Sequence, residues 1–388
     1  MVNANGDKSK KKKTTKSKMT KKPPHWYTSF KKDAGYRKNI LEGLERVGFP
    51  LELRVMRILD EQDFIANESQ YQDTKEKDGK LYTVNRQIDI YAYPIKKEGL
   101  EPNIPGFSMY FPYTIVGECT SLAEQCIVFF ELSDHEKKNN FIRIPIFAKG
   151  TPGLIQIHDG ASSLKSFQEF FNIDQFTKKV AQFSPKKLVG GETGKNKDDS
   201  DIVYHKCNQI LSALKFFLDR WRGVNGVGYS NVRESSGLDD MFNSHPLLKA
   251  DGSTRQNRNN AVSNITDSFN PKNLHGHINV DSFIPLLVVN EETLLLKALC
   301  GEKDYSLKDL KEVKYFIYLF APADLNKYGS VVGSLYHQAI IICNVKYLKE
   351  CIKEISSGMG KLREKMESNI QRNPKYIVEE LMADYRKY

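Results

Sequence analysis

The chain has 388 residues, 40% of them hydrophobic and 27% charged, with 21 Phe and 19 Tyr. A peptide or disulfide-stapled mini-protein is excluded, and enough apolar surface is present to offset the ordering entropy of one elaborated domain or two. Of the formal net charge of +10, residues 1–24 carry +8, through nine lysines from Lys8 to Lys22 against Asp7, so the body is close to neutral.

With almost no apolar residue before Trp26, residues 1–25 are predicted to be a disordered, solvated basic tail that ends at the stiff Pro23-Pro24. Such a tail can hold phosphates by releasing counterions, act as a nuclear address in a eukaryotic host, or simply keep the protein dissolved. No apolar stretch follows the lysines, which argues against a secretory signal, and no run of 18 or more apolar residues occurs, so no membrane partner is expected. The six cysteines lack paired short spacings and mostly sit in apolar runs. They read as reduced, buried thiols of an intracellular protein, cytoplasmic or, in a eukaryotic host, nuclear.

Residues 34–48 read as a helix, and a second runs from Pro50, a residue suited to a first helical position, to about Gln62, with Leu51, Val55, Ile58 and Leu59 as its core stripe. Strand-like runs follow at 64–66, 81–84, 87–93, 114–120 and 126–132, and β-rich sequence at 142–157. Residues 163–182 have the spacing of one or two amphipathic helices, and 201–222 that of a long helix carrying Ile210, Leu211, Leu214, Phe217, Leu218 and Trp221. The polar stretches 186–200 and 223–276 are predicted to be a surface loop and a long insertion. Strand signals return at 283–289, 294–298, 313–320 and 339–343, then a helix over 345–355 and a charged helical extension over 356–388, broken near Pro374.

Three acids stand where charge is costly. Glu52 opens the second helix with Val55, Met56 and Leu59 along its flank, so this carboxylate is not on a plainly solvated face. Asp89 interrupts Gln87-Ile88-Asp89-Ile90-Tyr91-Ala92-Tyr93, a run otherwise fit for a central strand. Glu118 ends Tyr113-Thr114-Ile115-Val116-Gly117-Glu118-Cys119-Thr120, where alternation puts Thr114, Val116, Glu118 and Thr120 on one face. One shared solution for all three is a hard divalent cation, magnesium or manganese, whose charge offsets their repulsion. Singly, each has an ordinary explanation: a helix N-terminal acid for Glu52, an edge-strand charge for Asp89, an ion pair with Arg86 for Glu118.

The order helix-Glu52, then Glu68-Ser69-Gln70-Tyr71, Arg86-Gln87-Ile88-Asp89-Ile90-Tyr91-Ala92, and Val116-Gly117-Glu118-Cys119-Thr120 followed by Ile127-Val128-Phe129-Phe130, resembles the PD-(D/E)XK nuclease superfamily, in its restriction-endonuclease-like, Mrr-related group. The resemblance covers roughly residues 45–355. It implies an α/β fold, a restriction-endonuclease-like central mixed β-sheet flanked by helices over 26–355, with the helical C-terminus and the basic tail added. It also implies Asp89 and Glu118 as metal ligands, Glu52 as an outer or direct ligand, the Cys119 carbonyl completing the shell, and Arg86 and Gln70 lining the cleft. The implied function is metal-dependent hydrolysis of DNA, rather than RNA, in restriction or defence, and cutting both strands makes a homodimer an expectation.

The chain departs from the family at one point: Thr120 stands two residues after the strand acid, where the family carries a lysine. A hydroxyl supplies no positive charge and is a poor base. Either a lysine arrives from another segment, with Lys80 a candidate, or Thr120 orients water and the metal alone lowers its pKa, or the fold is a catalytically inactive nucleic-acid or protein binding module. Other motifs fall away. Gly190 to Lys195 has Val189 and Asn196 where a phosphate loop needs Gly and Ser or Thr; Gly223, Gly226 and Gly228 follow a helix instead of preceding one; and His275 and His277 have no third ligand nearby.

Overall fold

The computed structural model describes residues 33–46, 49–77, 80–95, 99–100, 107–110, 112–122, 125–139, 146–147, 170–184, 201–224, 244–250, 252–268, 276–279, 282–300, 307–322 and 338–372. The chain divides into two units, Met1–Val47 and Gly48–Tyr388. The first contributes α1 (Ala34–Arg46), whose start is capped by Asp33 Oδ1 accepting the N–H of Gly35 at 2.8 Å. The expected basic tail lies outside the described residues.

The second unit opens with α2 (Phe49–Asp60), β1 (Phe64–Lys77), β2 (Lys80–Pro94), β3 (Gly99–Leu100), β4 (Phe107–Tyr110), β5 (Tyr113–Thr120) and β6 (Cys126–Phe130). The short α3 (Asp134–Asn139), β7 (Ile146–Phe147), β8 (Phe176–Thr177) and β9 (Val180–Phe183) follow, then the long α4 (Asp201–Val224), α5 (Pro246–Lys249) and α6 (Arg255–Ser268). The chain continues through β10 (Gly276–Asn279), β11 (Ser282–Val289), β12 (Leu294–Cys300), β13 (Leu307–Glu312), β14 (Tyr315–Phe320) and β15 (Gln338–Asn344) to α7 (Leu348–Arg372).

Many expectations hold within a few residues and others do not: the run at 64–66 extends to Lys77 as β1, and β13 has no counterpart among them. The separate runs at 81–84 and 87–93 are one 15-residue strand, β2. The helical spacing over 163–182 gives way to β8 and β9 in its C-terminal half, because two edges of the sheets recruit Phe176–Thr177 and Val180–Phe183 as partners; residues 163–169 lie outside the described residues. The insertion 223–276 contains α6, which buries Ala261, Val262 and Ile265. α7 is continuous from Leu348 to Arg372, and Met359 and Leu362 join the core beyond residue 355.

The main sheet has the order β1-β2-β5-β11-β15-β14-β8, with β7 on β11. β1, β2 and β5 form an antiparallel meander, whereas β5, β11 and β15 are parallel neighbours. Parallel neighbours need a crossover, and α4 lies in the segment between β5 and β11. Two cores cover the two faces. Ile284, Leu286 and Val288 of β11 pack with Leu51, Val55 and Leu59 of α2 and with Leu348, Ile352 and Ile355 of α7. The alternate residues Phe283, Leu287 and Val289 pack with Cys207, Ile210, Leu214 and Phe217 of α4. The result is a helix–sheet–helix sandwich whose strands are apolar on both faces, the pattern of a covered parallel sheet.

A second sheet, β13-β12-β6-β9, continues the β5/β11 pair: β6 and β12 are also parallel, so both strands turn the same corner together. That corner is pinned by amides. Asn344 Nδ2 donates to the carbonyls of Asn290 at 3.1 Å and Thr293 at 2.8 Å, the Leu122 N–H donates to Asn290 Oδ1 at 3.0 Å, and Thr293 Oγ1 donates to the Leu122 carbonyl at 2.9 Å. Gly117 allows β5 to lie close to β11, since a Cβ there would stand 2.3 Å from the Leu286 carbonyl oxygen. A third sheet, β10-β4-β3, is small. Among the described residues no helix is long and apolar enough to cross a membrane.

Candidate functional site

The meander does not close evenly. β1 and β2 pair as Asn67↔Tyr91 and then Ser69↔Ile88, so Asp89 and Ile90 together oppose Glu68 in a β-bulge. A bulge bends its strand and re-aims the bulged side chain. β2 pairs with β5 only at Ile90↔Gly117, Tyr91↔Val116 and Ala92↔Ile115. The next pair would set Asp89 against Glu118; instead the ladder ends there, and the Asp89 carboxylate replaces it by accepting the Cys119 N–H at 2.9 Å. Because the N–H and C=O of one strand residue point the same way, the Cys119 carbonyl faces the same wedge between the strands.

Glu118 is almost fully buried, on the face of β5 that meets α4. Its Oε2 accepts from Lys206 Nζ at 2.5 Å, while its Oε1 is buried with no hydrogen-bond partner among the described residues. Lys206 Nζ also stands 3.8 Å from Asp89 Oδ2, so a single ammonium spans the two strand acids. Glu52 on α2 and Glu68 at the bulge complete the cluster electrostatically. Burial first, and then the charges of Asp89 and Glu68, push the Glu52 carboxyl up, with Lys206 opposing. Glu68 Oε2 in turn accepts from Gln87 Nε2 at 2.6 Å.

The cluster is short of positive charge. Glu118 is pushed up to about 8, chiefly by burial and also by its contact with Asp89, despite the pull of Lys206. Burial opposes the charge on Lys206, but Glu118 and Asp89 outweigh it and hold the ammonium's pKa above the ordinary lysine value. The Cys119 thiol is pushed well up by burial and the surrounding acids, which leaves it un-ionised. Asp89, Glu118 and the Cys119 carbonyl, with Glu52 outside them, are oxygen donors of the kind that a hard divalent cation takes. With Lys206 lying between the strand acids, no group of three or more His, Cys, Asp and Glu side chains is arranged as a ligand set among the described residues.

The other expected residues lie apart. Arg86 Nε pairs with buried Asp73 at 3.2 Å, and no bond joins it to Glu118. Gln70 is exposed on the ribbon, opposite Gln87. Thr120 is buried at the end of β5 and its carbonyl accepts the Asn290 N–H at 3.3 Å. Lys80 sits at the far end of the hairpin, paired with Lys77. The cation that the acids needed is Lys206, which sequence reading missed. A signal existed: Val203 and Ile210, three residues before and four after it on α4, are both fully buried, so Lys206 interrupts the helix's apolar stripe.

Compared with protein-family models, curated proteins and solved structures, the chain matches none.

Proposed function

We propose that the chain is a metal-dependent phosphodiesterase of the PD-(D/E)XK kind that cleaves DNA, in restriction or defence. The observation that carries this reading is Lys206 Nζ, 2.5 Å from Glu118 and 3.8 Å from Asp89. An ammonium beside the two strand acids is what the motif lacks at Thr120, and it arrives from α4 instead. The order α2-β1-β2-β5-α4-β11, with the acids on α2, β2 and β5, supports the same reading.

Asp89, Glu118 and the Cys119 carbonyl would hold the ion, and Glu52 and Glu68 would orient water around it. A bound magnesium or manganese ion would polarise the scissile phosphate and lower the pKa of a coordinated water. Lys206 would hold the attacking water by donating to its oxygen and would offset the charge that builds on the phosphate; the water's proton passes to solvent as its oxygen bonds to phosphorus, and the departing oxygen takes a proton from solvent. A bound ion's charge would offset the burial that forces Glu118 up. The basic tail would raise affinity for any duplex and make it strongly salt-dependent.

The test incubates the purified chain with supercoiled DNA, linear DNA and RNA in magnesium, manganese and chelator, beside Asp89→Ala and Glu118→Ala. Metal-dependent nicking that both substitutions abolish supports the site; nicking that survives them removes it. An inactive binding module, the alternative, would bind nucleic acid in this assay without cutting it in any metal.

A further inference from the structure

The hairpin that carries Asp89 outruns the sheet. β1 and β2 stay paired from Ser69↔Ile88 to Lys77↔Lys80, whereas β2 pairs with β5 only through Ile90–Ala92. Residues 69–77 and 80–88 therefore form a two-stranded ribbon that leaves the main sheet at the acidic cluster. One side of it is tied down: Tyr71 and Ile88 pack in the core with α4, and Arg86 pairs with Asp73. The other side carries Gln70 opposite Gln87, Gln72 opposite Asn85, and Thr83, all five exposed.

Solvated strand faces are ordinarily guarded by charge, lysine above all. Among the described side chains, this row holds four amides in two directly opposed pairs and a hydroxyl, with no charge among them. An uncharged row gains little from phosphates, which are bound by cations. An amide instead presents a donor and an acceptor side by side, the pattern that pairs with N6 and N7 of adenine in the major groove, and that groove admits a two-stranded ribbon. The row also begins at the chemistry, since Gln87 donates to Glu68 of the cluster. From residue 87 to residue 83 the ribbon advances about 13 Å, at roughly 3.3 Å per residue, or about four base-pair steps of 3.4 Å.

We propose that this ribbon enters the major groove of duplex DNA next to the cleaved phosphate, with Gln70, Gln72 and Asn85 reading adenine-containing base pairs and Gln87 fixing the ribbon's base against Glu68. The proposal rests on the nuclease reading and adds its specificity element.

The experiment sequences the ends that the full chain produces from a pool of duplexes randomised over about ten positions, in magnesium, beside nicking of supercoiled plasmid. The wild-type ends should show adenine preferences of roughly five- to a hundredfold at two or three neighbouring positions. Gln70→Ala, Gln72→Ala and Asn85→Ala combined should flatten them while the thermal midpoint stays near that of the wild type, as expected of exposed substitutions. Gln72→Glu should move one position from adenine toward cytosine, a change that a merely structural residue would not cause. Wild-type ends with no base preference, or a preference that survives the triple substitution unchanged, overturn the ribbon assignment and leave the nuclease reading standing. A wild type that cuts neither pool nor plasmid overturns both.

Discussion

β5 has polar clusters on both flanks, and they are built to opposite rules. On the β11 flank, the amides and hydroxyl of Asn290, Thr293 and Asn344 are matched donor to acceptor around the corner into the second sheet, with no charge involved. On the β2 flank, Asp89 and Glu118 share the Lys206 ammonium, Glu52 and Glu68 add negative charge, and among the described residues a buried oxygen of Glu118 has no hydrogen-bond partner. Buried polar groups that serve stability are satisfied; a group left short invites a ligand.

The largest contrast should appear in activity. Asp89→Ala should lower metal-dependent nicking by more than about a thousandfold, since it removes both a proposed metal ligand and the acceptor of the Cys119 N–H, with only a modest change in thermal midpoint. Asn344→Ala should do the reverse. It strips donors from the carbonyls of Asn290 and Thr293 and should cost about 2–4 kcal/mol in denaturant unfolding, while nicking by the folded protein stays near wild type.

A third expectation concerns pH. Glu118 is pushed up to about 8, from an ordinary 4.5, in the metal-free chain. Between those values the folded protein keeps a proton that the unfolded chain releases, so metal-free stability should fall as pH rises from 4.5 to 8 on this residue's account. Lys206, held up by its acids, acts in the same direction only at alkaline pH, where its contribution is lost as it titrates. Glu118→Gln should therefore flatten a slope of at most about 1.4 kcal/mol per pH unit, read from urea unfolding in chelator. An unchanged slope would mean that the β2 flank is neutralised as well as the β11 flank. The smallest effect expected on activity is that of Arg86→Met, which should destabilise the ribbon by removing the cation 3.2 Å from buried Asp73 yet leave the nicking rate of the folded protein within about threefold.

How much of this was legible in the sequence follows from range. Glu52, Asp89 and Glu118 are readable because each charge breaks a local apolar pattern, and local patterns also yield α2, α4 and the two-faced strands β5, β11 and β15. The bulge at Asp89 is not readable, because it exists only in the register of β1 against β2. Lys206 lies 88 residues from its partner Glu118, and a motif read at a spacing of two residues looks past it. β13 has six exposed residues and no alternation to mark it, and β8 and β9 owe their strand form to partners far along the chain. α6 was hidden by its Asn-rich sequence, which favours turns over helix, until Ala261, Val262 and Ile265 found the core.

The most direct test of the central claim is the rate of magnesium-dependent nicking of supercoiled DNA by Lys206→Met, at equal folded protein and saturating metal. A loss of roughly 10²- to 10³-fold is predicted, the usual worth of a positioned donor that stabilises developing charge. A variant that nicks at the wild-type rate would contradict the account.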